Sequence, residues 1–395
     1  MTPLQPRAET LDVLRQLIRF DTTSRNSNLP LIDWAEAYLT ARGARCQRVP
    51  DPGGQPKATL WATFGPEGVP GVVLSGHSDT VPVDGQDWSW PPHELTEDQG
   101  RLYGRGTSDM KGFLACCMAL ADDFAARPLA VPLHLAFSYD EEVGCLAVRP
   151  LLDFLASENI RPRAVIVGEP TMMDVAIGHK SKRNLRVTIK GTPGHSGRAP
   201  EFVNAIEYGA RLIVFIQDLG RRLATETRDP LYDVPVTTAH VGVASGGQAL
   251  NIVPEDFSFL FEFRALASHD PDALIAEVTA YAQDVLLPQM NAVDPRAAIT
   301  FEQLADSPGV DLSPDHDLAK AVQRYAQRNS FTKIIYGTEG GIFQQSGGLP
   351  TVICGPGSID VAHQPDEYIT PDQLALCEAF LLRLLADCRS GTLSF

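Results

Sequence analysis

Short apolar, β-branched runs recur along the chain, and most of them end in polar residues. The runs lie at residues 58–64, 71–77, 131–142, 164–169 and 350–355. This composition and length predict buried strands. Helical spacing of apolar positions predicts helices at about residues 7–19, 30–42, 110–126 and 146–157. Strands that alternate with helices are typical of a layered α/β domain with a mostly parallel central sheet.

From about residue 182 the pattern changes. It predicts strands at RNLRVTIKG, VTTAHVGV and DFSFLFEFRA, with helices at 201–226 and 270–288. A further strand near AITFEQL would complete a ferredoxin-like α+β unit. The alternating pattern resumes over 313–390. We therefore predict a first domain made of residues 1–181 and 293–395, interrupted by an inserted domain at 182–292.

The composition of the chain argues against several classes of function. The formal net charge of -16 opposes contact with a phosphate backbone, so no nucleic-acid partner is expected. No stretch reaches the roughly 20 apolar residues needed to cross a bilayer. The first residues also lack the uninterrupted apolar core of a secretory signal, so we expect a cytoplasmic protein without membrane contact. Seven cysteines without a C-x-x-C pair indicate free thiols.

Ionisable side chains stand where apolar runs end. They are His77, Asp79, Glu141, Glu142 and Glu169. Open α/β sheets bind ligands at the carboxyl ends of their strands, so these groups are expected to share one rim. The acids at 140–142 would be costly together unless cations or water compensated them. Taken singly, each motif leaves open a solvated acidic surface or an ordinary hydrogen-bonded histidine.

The segment LYGRGTSDMKGF precedes a predicted helix. Gly104 and Gly106 give it a superficial likeness to a dinucleotide-binding loop. The third glycine is missing, and Asp109 would repel a pyrophosphate. A metal-binding aspartate agrees better with this sequence, since carboxylates and imidazoles suit zinc-like ions.

Five segments, SGHSDTVP, GRGTSDMKG, DEEVG, GEPT and AHQPDEYI, occur in this order. They resemble the dizinc aminoacylase and deacetylase family of metallopeptidases, and the resemblance spans nearly the whole chain. It implies two divalent ions, zinc or alternatively cobalt or manganese. The implied ligands are His77 and Glu169 for one ion, Glu142 and His363 for the other, and Asp109 as the bridge. It also implies that Glu141 is the general base and that Asp79 orients His77.

The same resemblance makes the inserted domain a lid and dimerisation domain of a homodimer. His195 in GTPGHSGRA would stabilise the oxyanion, often across the dimer interface. Asn251 and Arg264 match positions associated with the substrate, although a structural ion pair is an alternative for Arg264. Ser196 could suggest a serine hydrolase, but the chain has no G-x-S-x-G elbow.

The segments TEGG, CGPGS and AHQPDEYI are most similar to those of acetylornithine deacetylases. Thr338 and Gly340 are accordingly expected to line the substrate pocket. The small-molecule substrate implied is an N-acyl amino acid, N2-acetyl-L-ornithine, hydrolysed to L-ornithine and acetate in arginine biosynthesis. Gly197 and the run KSKRN at 180–184 depart from the usual pattern and weaken the assignment of one substrate.

Other functions remain open at this stage. The chain could deacylate another N-acyl amino acid, such as acetylcitrulline or succinyl-diaminopimelate, or it could hydrolyse dipeptides. A noncatalytic relative is a further alternative, since a fold alone implies no activity. Such a relative would be expected to lose the base or a ligand, and this chain keeps Glu141 and all five proposed ligands.

Overall fold

A computed structural model describes residues 4–395, and its elements follow the predicted alternation of strands and helices. The helices are α1 (Ala8–Arg19), α2 (Leu29–Thr40), α3 (Gly112–Ala119), α4 (Ala121–Ala125), α5 (Val148–Ser157), α6 (Ala205–Glu226), α7 (Pro271–Ala280), α8 (Leu287–Val293), α9 (Asp317–Ala326), α10 (Gly340–Gln345) and α11 (Pro371–Ser390). The strands are β1 (Arg45–Pro50), β2 (Ala58–Phe64), β3 (Val72–His77), β4 (Thr96–Asp98), β5 (Arg101–Tyr103), β6 (Leu133–Ser138), β7 (Ala164–Pro170), β8 (Val175–His179), β9 (Ser181–Lys190), β10 (Gly194–His195), β11 (Thr238–Gly246), β12 (Ile252–Val253), β13 (Asp256–Ala265), β14 (Ala298–Ser307), β15 (Val310–Asp311), β16 (Phe331–Ile334), β17 (Thr351–Gly355) and β18 (Tyr368–Ile369).

The chain folds into two compact units. The first contains the described residues up to 179, together with 310–333 and 338–395, and the second contains 180–309 and 334–337. The main sheet of the first unit has the order β1-β2-β6-β3-β7-β17-β8-β15, with β16 paired to β8. Its middle strands β6, β3, β7 and β17 run parallel, and the flanking strands are antiparallel. The predicted α/β class with a mostly parallel centre is confirmed.

Helices cover the sheet because its inner strands are apolar on both faces. All residues of β2, β3, β6 and β7 are buried, as expected of parallel strands enclosed by helices. Helix α1 shows how the sequence directs this packing, since Val13, Leu14, Leu17 and Ile18 lie on one stripe and are all buried. Burying each such side chain contributes about 1.5–3 kcal/mol.

The second unit is an antiparallel sheet with the order β11-β13-β9-β14. Its chain order is β-α-β-β-α-β, so the predicted ferredoxin-like α+β insert is confirmed. Strand β13 alternates strictly, and its four buried phenylalanines pack in one core with α6. The unit extends past the predicted boundary at residue 292, because β14 pairs along the length of β9.

All seven cysteines are free thiols, as their spacing predicted. Cys46 is partly exposed and the other six are buried. Within residues 4–395, none of the helices has both the length and the apolar content needed to cross a membrane.

One buried histidine lies far from the strand-end carboxylates, inside the main sheet. His134 on β6 stacks on Trp61 with 4.7 Å between ring centroids, and its Nδ1 lies 2.9 Å from the hydroxyl of Thr63. Burial lowers the pKa of His134 to about 4, and the positive charge of Arg45 acts in the same direction.

The shifted pKa of His134 predicts acid destabilisation. The unfolded chain takes up a proton near pH 6.5 while the native imidazole stays neutral down to about pH 4. The stabilisation is therefore complete above pH 6.5, and about 3 kcal/mol is lost as the pH falls to 4. Denaturant unfolding of the parent and His134→Asn between pH 4 and 7 checks this. The difference between their free energies of unfolding should shrink as the pH falls, and a constant difference would contradict the prediction.

Candidate metal centre

Strand register brings three of the predicted ligand segments to one edge of the main sheet. His77, the last residue of β3, pairs with Ser138, the last residue of β6. Glu141 and Glu142 therefore follow β6 at the level of His77. Ser75 pairs with Val167 of β7, so Glu169 is also level with His77. The predicted common rim exists because parallel strands present their carboxyl ends on the same side.

The first ligand group contains His77, Asp109 and Glu169. The His77 Nε2 atom lies 2.9 Å from Asp109 Oδ1 and 3.7 Å from Glu169 Oε1. All three residues are buried. Gly168 makes this position of Glu169 possible, because a Cβ atom at residue 168 would lie 2.1 Å from the ring of Phe113.

The second group contains Asp109, Glu142 and His363. The His363 Nε2 atom lies 3.2 Å from Asp109 Oδ2 and 3.0 Å from Glu142 Oε2. Asp109 therefore turns one carboxylate oxygen toward each histidine. Two sets, His77 with Glu141 and Glu169 and His77 with Asp109 and Glu142, keep their donor atoms within 4.8 Å of one another.

The electrostatics of the cluster favour a cation. Burial raises the pKa of the Glu142 and Glu169 carboxyl groups, and the charge of Asp109 raises it further. For Asp109, burial acts in the same sense, but hydrogen bonds with His363 and His77 outweigh it and lower its pKa. The bonds to Asp109 and Glu142 raise the pKa of His363 to about 10. Divalent ions would relieve this repulsion by stabilising the ionised carboxylates.

The donor set agrees with two ions of the zinc type. Imidazole and carboxylate ligands suit zinc, manganese and related metals, and two-metal hydrolytic sites commonly share one carboxylate. Asp109 has the position required of that shared ligand, since each of its oxygens faces a different group. Glu141 lies within reach of the donor atoms of His77 and Glu169, but it takes no part in the contacts that join Asp109 to the two histidines.

Glu141 has an environment unlike that of an exposed acid. Burial raises its pKa to about 8, and the neighbouring carboxylate of Glu142 adds to the effect. The thiol of Cys145 lies 3.2 Å from Glu141 Oε1 and can donate a hydrogen bond to it. Sequence reasoning missed this contact, although the spacing in DEEVGC makes it short-range.

Asp79 contacts His77 through its main chain and also through its carboxylate. The His77 Nδ1 atom lies 2.9 Å from the backbone oxygen of Asp79 but 3.5 Å from its carboxylate. The carboxylate also accepts bonds from the amides of Glu141 and Glu142, at 3.2 and 3.4 Å, and from Ser24 Oγ at 2.7 Å. Asp79 thus lies in a position from which it can orient His77, and its side chain also holds the loop after β6.

Three predicted residues lie in the second unit. His195 is exposed in a two-residue ladder with Ile252, and the amide of Gly197 donates to its Nδ1 at 3.0 Å. Asn251 is exposed beside it, and its backbone oxygen accepts from the amide of Ser196. A cavity of about 580 Å³ adjoins this segment and is lined by residues from 196–206 and 246–254. Arg264 pairs with Glu262 at 2.9 Å, so the structural ion pair foreseen for it is present.

Thr338 and Gly340 belong to the first unit and are buried. The amide of Gly340 donates to Thr338 Oγ1 at 3.1 Å, and the same hydroxyl lies 3.1 Å from His179 Nε2. Between them lies Glu339, which sequence reasoning passed over. It is fully buried and accepts hydrogen bonds from Ser75 at 2.6 Å and Ser138 at 2.7 Å. The TEGG segment therefore places a carboxyl group directly behind the strands that carry His77 and Glu141.

Comparison with known proteins extends the resemblance. Residues 73–387 match the family model described as peptidase family M20/M25/M40. An acetylornithine deacetylase of Myxococcus xanthus is 33% identical over 393 residues, covering 97% of this chain and 100% of that protein. An acetylornithine deacetylase of Pasteurella multocida is 31% identical and covers 92% of each chain. A tripeptidase structure from Staphylococcus aureus has a TM-score of 0.76 at 21% identity, covering 98% of this chain and 100% of that one.

Proposed function

The chain belongs to peptidase family M20/M25/M40, a family of metallohydrolases, and from this premise we propose that it is a two-metal N-acyl amino acid amidohydrolase. The substrate we propose is N2-acetyl-L-ornithine, cleaved by water to L-ornithine and acetate. The observation that carries the reaction class is the convergence of two histidines and two glutamates around Asp109, with Glu141 beside them. The substrate rests on the full-length similarity to the Myxococcus protein.

We assign His77, Asp109 and Glu169 to one ion and Asp109, Glu142 and His363 to the other. The short contacts from Asp109 to both histidines support this division. Zinc is the proposed metal, with cobalt or manganese as substitutes of similar ligand preference. Bound ions of this kind supply Lewis acidity and lower the pKa of water toward about 7.

The residues of the chain perform the proton transfers in this proposal. Glu141 accepts a proton from the attacking water and returns it to the amide nitrogen as the carbon–nitrogen bond breaks. The carboxylic acid formed in this way then gives its own proton to the amine, so the products are a carboxylate and an ammonium group, and atoms and charge balance. The Asp79 carboxylate supports this step by fixing the amide of Glu141. His195 would donate a hydrogen bond to the oxyanion that develops on the acyl carbon.

We propose that four residues contact the substrate or shape its pocket. We propose that Arg264 binds the α-carboxylate of the amino acid, since a guanidinium can bind a carboxylate through two hydrogen bonds. Its ion pair with Glu262 is partly exposed and could be exchanged for the substrate. Asn251 is exposed and can contact a ligand directly. Thr338 and Gly340 are buried, so we propose that they shape the pocket through the TEGG turn.

We also propose a homodimer formed through the second unit. Strand β11 lies at one edge of its sheet and pairs only with β13 among the described strands. Unpaired edges invite pairing with a second chain. Val243 on β11 and Val214 on α6 are 55% and 57% exposed, which provides apolar surface next to that edge.

The test is a hydrolysis assay on protein reconstituted with zinc or cobalt. Release of acetate and amine from N2-acetyl-L-ornithine is measured beside acetylcitrulline, succinyl-diaminopimelate, other acetyl amino acids and dipeptides. A preference for acetylornithine supports the whole proposal and places the reaction in ornithine formation for arginine biosynthesis. A preference for another compound replaces the substrate but keeps the mechanism. No turnover of any compound by the metal-loaded protein would overturn the catalytic proposal.

A further inference from the structure

A series of hydrogen bonds links the main chain at Asp109 to the main chain at His363. It passes through three side chains that have no part in the proposed chemistry, Glu367, Arg105 and Gln86. All of them belong to the first unit. We call these three residues the Gln86 relay.

Glu367 holds the turn that carries Asp109. One of its oxygens accepts from the amides of Ser108 and Asp109, at 2.9 and 3.0 Å, and the other accepts from the amide of Gly106 at 3.0 Å. Arg105 Nη1 donates to the same carboxylate at 2.8 Å. A single carboxylate therefore fixes three backbone amides of the turn.

The opposite end of the relay holds His363. Arg105 Nη2 and Trp88 Nε1 both donate to Gln86 Oε1, which fixes the direction of the Gln86 amide. Its Nε2 atom then donates to the backbone oxygen of His363 at 2.8 Å. His363 has a backbone φ of 63° and its side chain is 51% exposed. Packing around the imidazole is thus limited, and the bond from Gln86 gives its main chain a defined position.

A contribution to the stability of the fold does not explain the two buried charges of the relay, Arg105 and Glu367. Arg105 and Glu367 are each 1% exposed, and a buried ion pair contributes little net stability, since desolvation offsets its attraction. The ion pair instead fixes the orientation of the two groups that it joins. On one side, the Glu367 carboxylate accepts from three backbone amides. On the other side, the Gln86 side chain donates to one backbone carbonyl.

We infer that Gln86, Arg105 and Glu367 are positioning residues that set the separation of Asp109 and His363, and so the affinity for the ion that these two share with Glu142. This inference rests on the proposed metal centre. Because Gln86 contacts His363 directly and is connected to Asp109 only through Arg105 and Glu367, its loss should affect mainly the ion at His363. Because Glu367 holds Asp109, which faces both groups, its loss should affect both ions.

Titration of the metal-free full chain with cobalt chloride tests the relay without using turnover. Gln86→Leu preserves side-chain size but removes both the acceptor for Arg105 and the donor to His363. Outer partners of metal ligands typically contribute 10–100-fold to affinity, so one of the two dissociation constants should rise by about that factor while the other changes less than about twofold. Glu367→Gln should raise both.

Gln364→Leu is the matched control. Gln364 is next to His363, is exposed, and donates to the backbone oxygen of Asp360 at 3.2 Å, outside the relay. Neither cobalt constant should change in this variant. Gln86→Asn, which keeps an amide but is too short by one methylene, repeats the test should Gln86→Leu unfold.

Two variants, each lacking a proposed ligand of one ion, show which ion is bound more weakly when Gln86 is replaced. In Glu169→Ala, which lacks an end ligand of the first group, adding Gln86→Leu should still weaken the remaining cobalt binding. In Glu142→Ala, the same addition should have no effect. Equal constants for the Gln86 variants and the parent would overturn the relay alone. Failure of the parent to bind cobalt at all would overturn the metal centre proposed above.

Discussion

Replacement of Glu141 by alanine is expected to lower kcat by about 10²–10⁴-fold while both metal ions stay bound. The reason is positional. In the proposed assignment of ligands, Glu141 lies beside the two ligand groups and belongs to neither of them. Removing it therefore eliminates the proton transfer but leaves all the proposed ligands of both ions in place. Steady-state kinetics and metal content of the purified variant measure the two effects separately.

The neighbouring residue provides the contrast. Glu142→Ala should lose metal as well as activity, since its Oε2 atom lies 3.0 Å from His363 Nε2. Glu158→Ala, an exposed glutamate at the end of α5, should change neither quantity. If Glu141→Ala retained turnover close to that of the parent, the base would have to be another group, and the proposed mechanism would be wrong.

Replacement of His195 by alanine is expected to lower kcat by about 10²–10³-fold, the usual effect of losing one oxyanion donor. Because the donor acts on the developing charge, KM should change much less than kcat. Ser196→Ala is the adjacent control. It should remain active if water is the nucleophile, and its inactivation would favour the serine-hydrolase alternative. An unchanged kcat in His195→Ala would make that histidine structural.

Mixing two inactive variants shows whether His195 serves its own subunit or a partner. When His195→Ala and Glu141→Ala are unfolded together and refolded, half of random dimers are mixed. If His195 acts across the interface, one site of each mixed dimer has all its groups, and about a quarter of the parent activity returns. If it acts within its own subunit, no activity returns.

The common position of the strand-end side chains could be predicted because two physical rules act together. Apolar runs identify the parallel strands, and parallel strands place whatever follows them on one rim. His77, Glu141, Glu142 and Glu169 are therefore recognisable from the pattern of the chain. His363 is different, since it follows a single turn at Ile359–Val361 and adopts a left-handed backbone. No hydrophobic pattern marks it, and only the resemblance to a known family identified it.

Contacts between distant segments could not be read from the sequence. Glu367 bonds to amides that lie 258 to 261 residues earlier in the chain. Any buried acid could accept hydrogen bonds from the amides of such a turn, so nothing local in DEYI indicates that Glu367 bonds to them. The end of the second unit lies beyond the predicted boundary at residue 292, although the sequence did predict a strand near AITFEQL as part of that unit. Pairing of β14 with β9 includes this strand in the sheet of the second unit.

The order of the main sheet also constrains how the protein can be made on the ribosome. Strand β7 needs β17 as its neighbour, yet the roughly 180 residues between Pro170 and Thr351 must be synthesised before that neighbour exists. At about 5–20 residues per second this takes about 9–36 s. During that interval a central strand that is apolar from Ala164 to Val167 has one open edge, which is a template for aggregation. His363 emerges later still, so a nascent chain can assemble the ligands of the first ion well before those of the second.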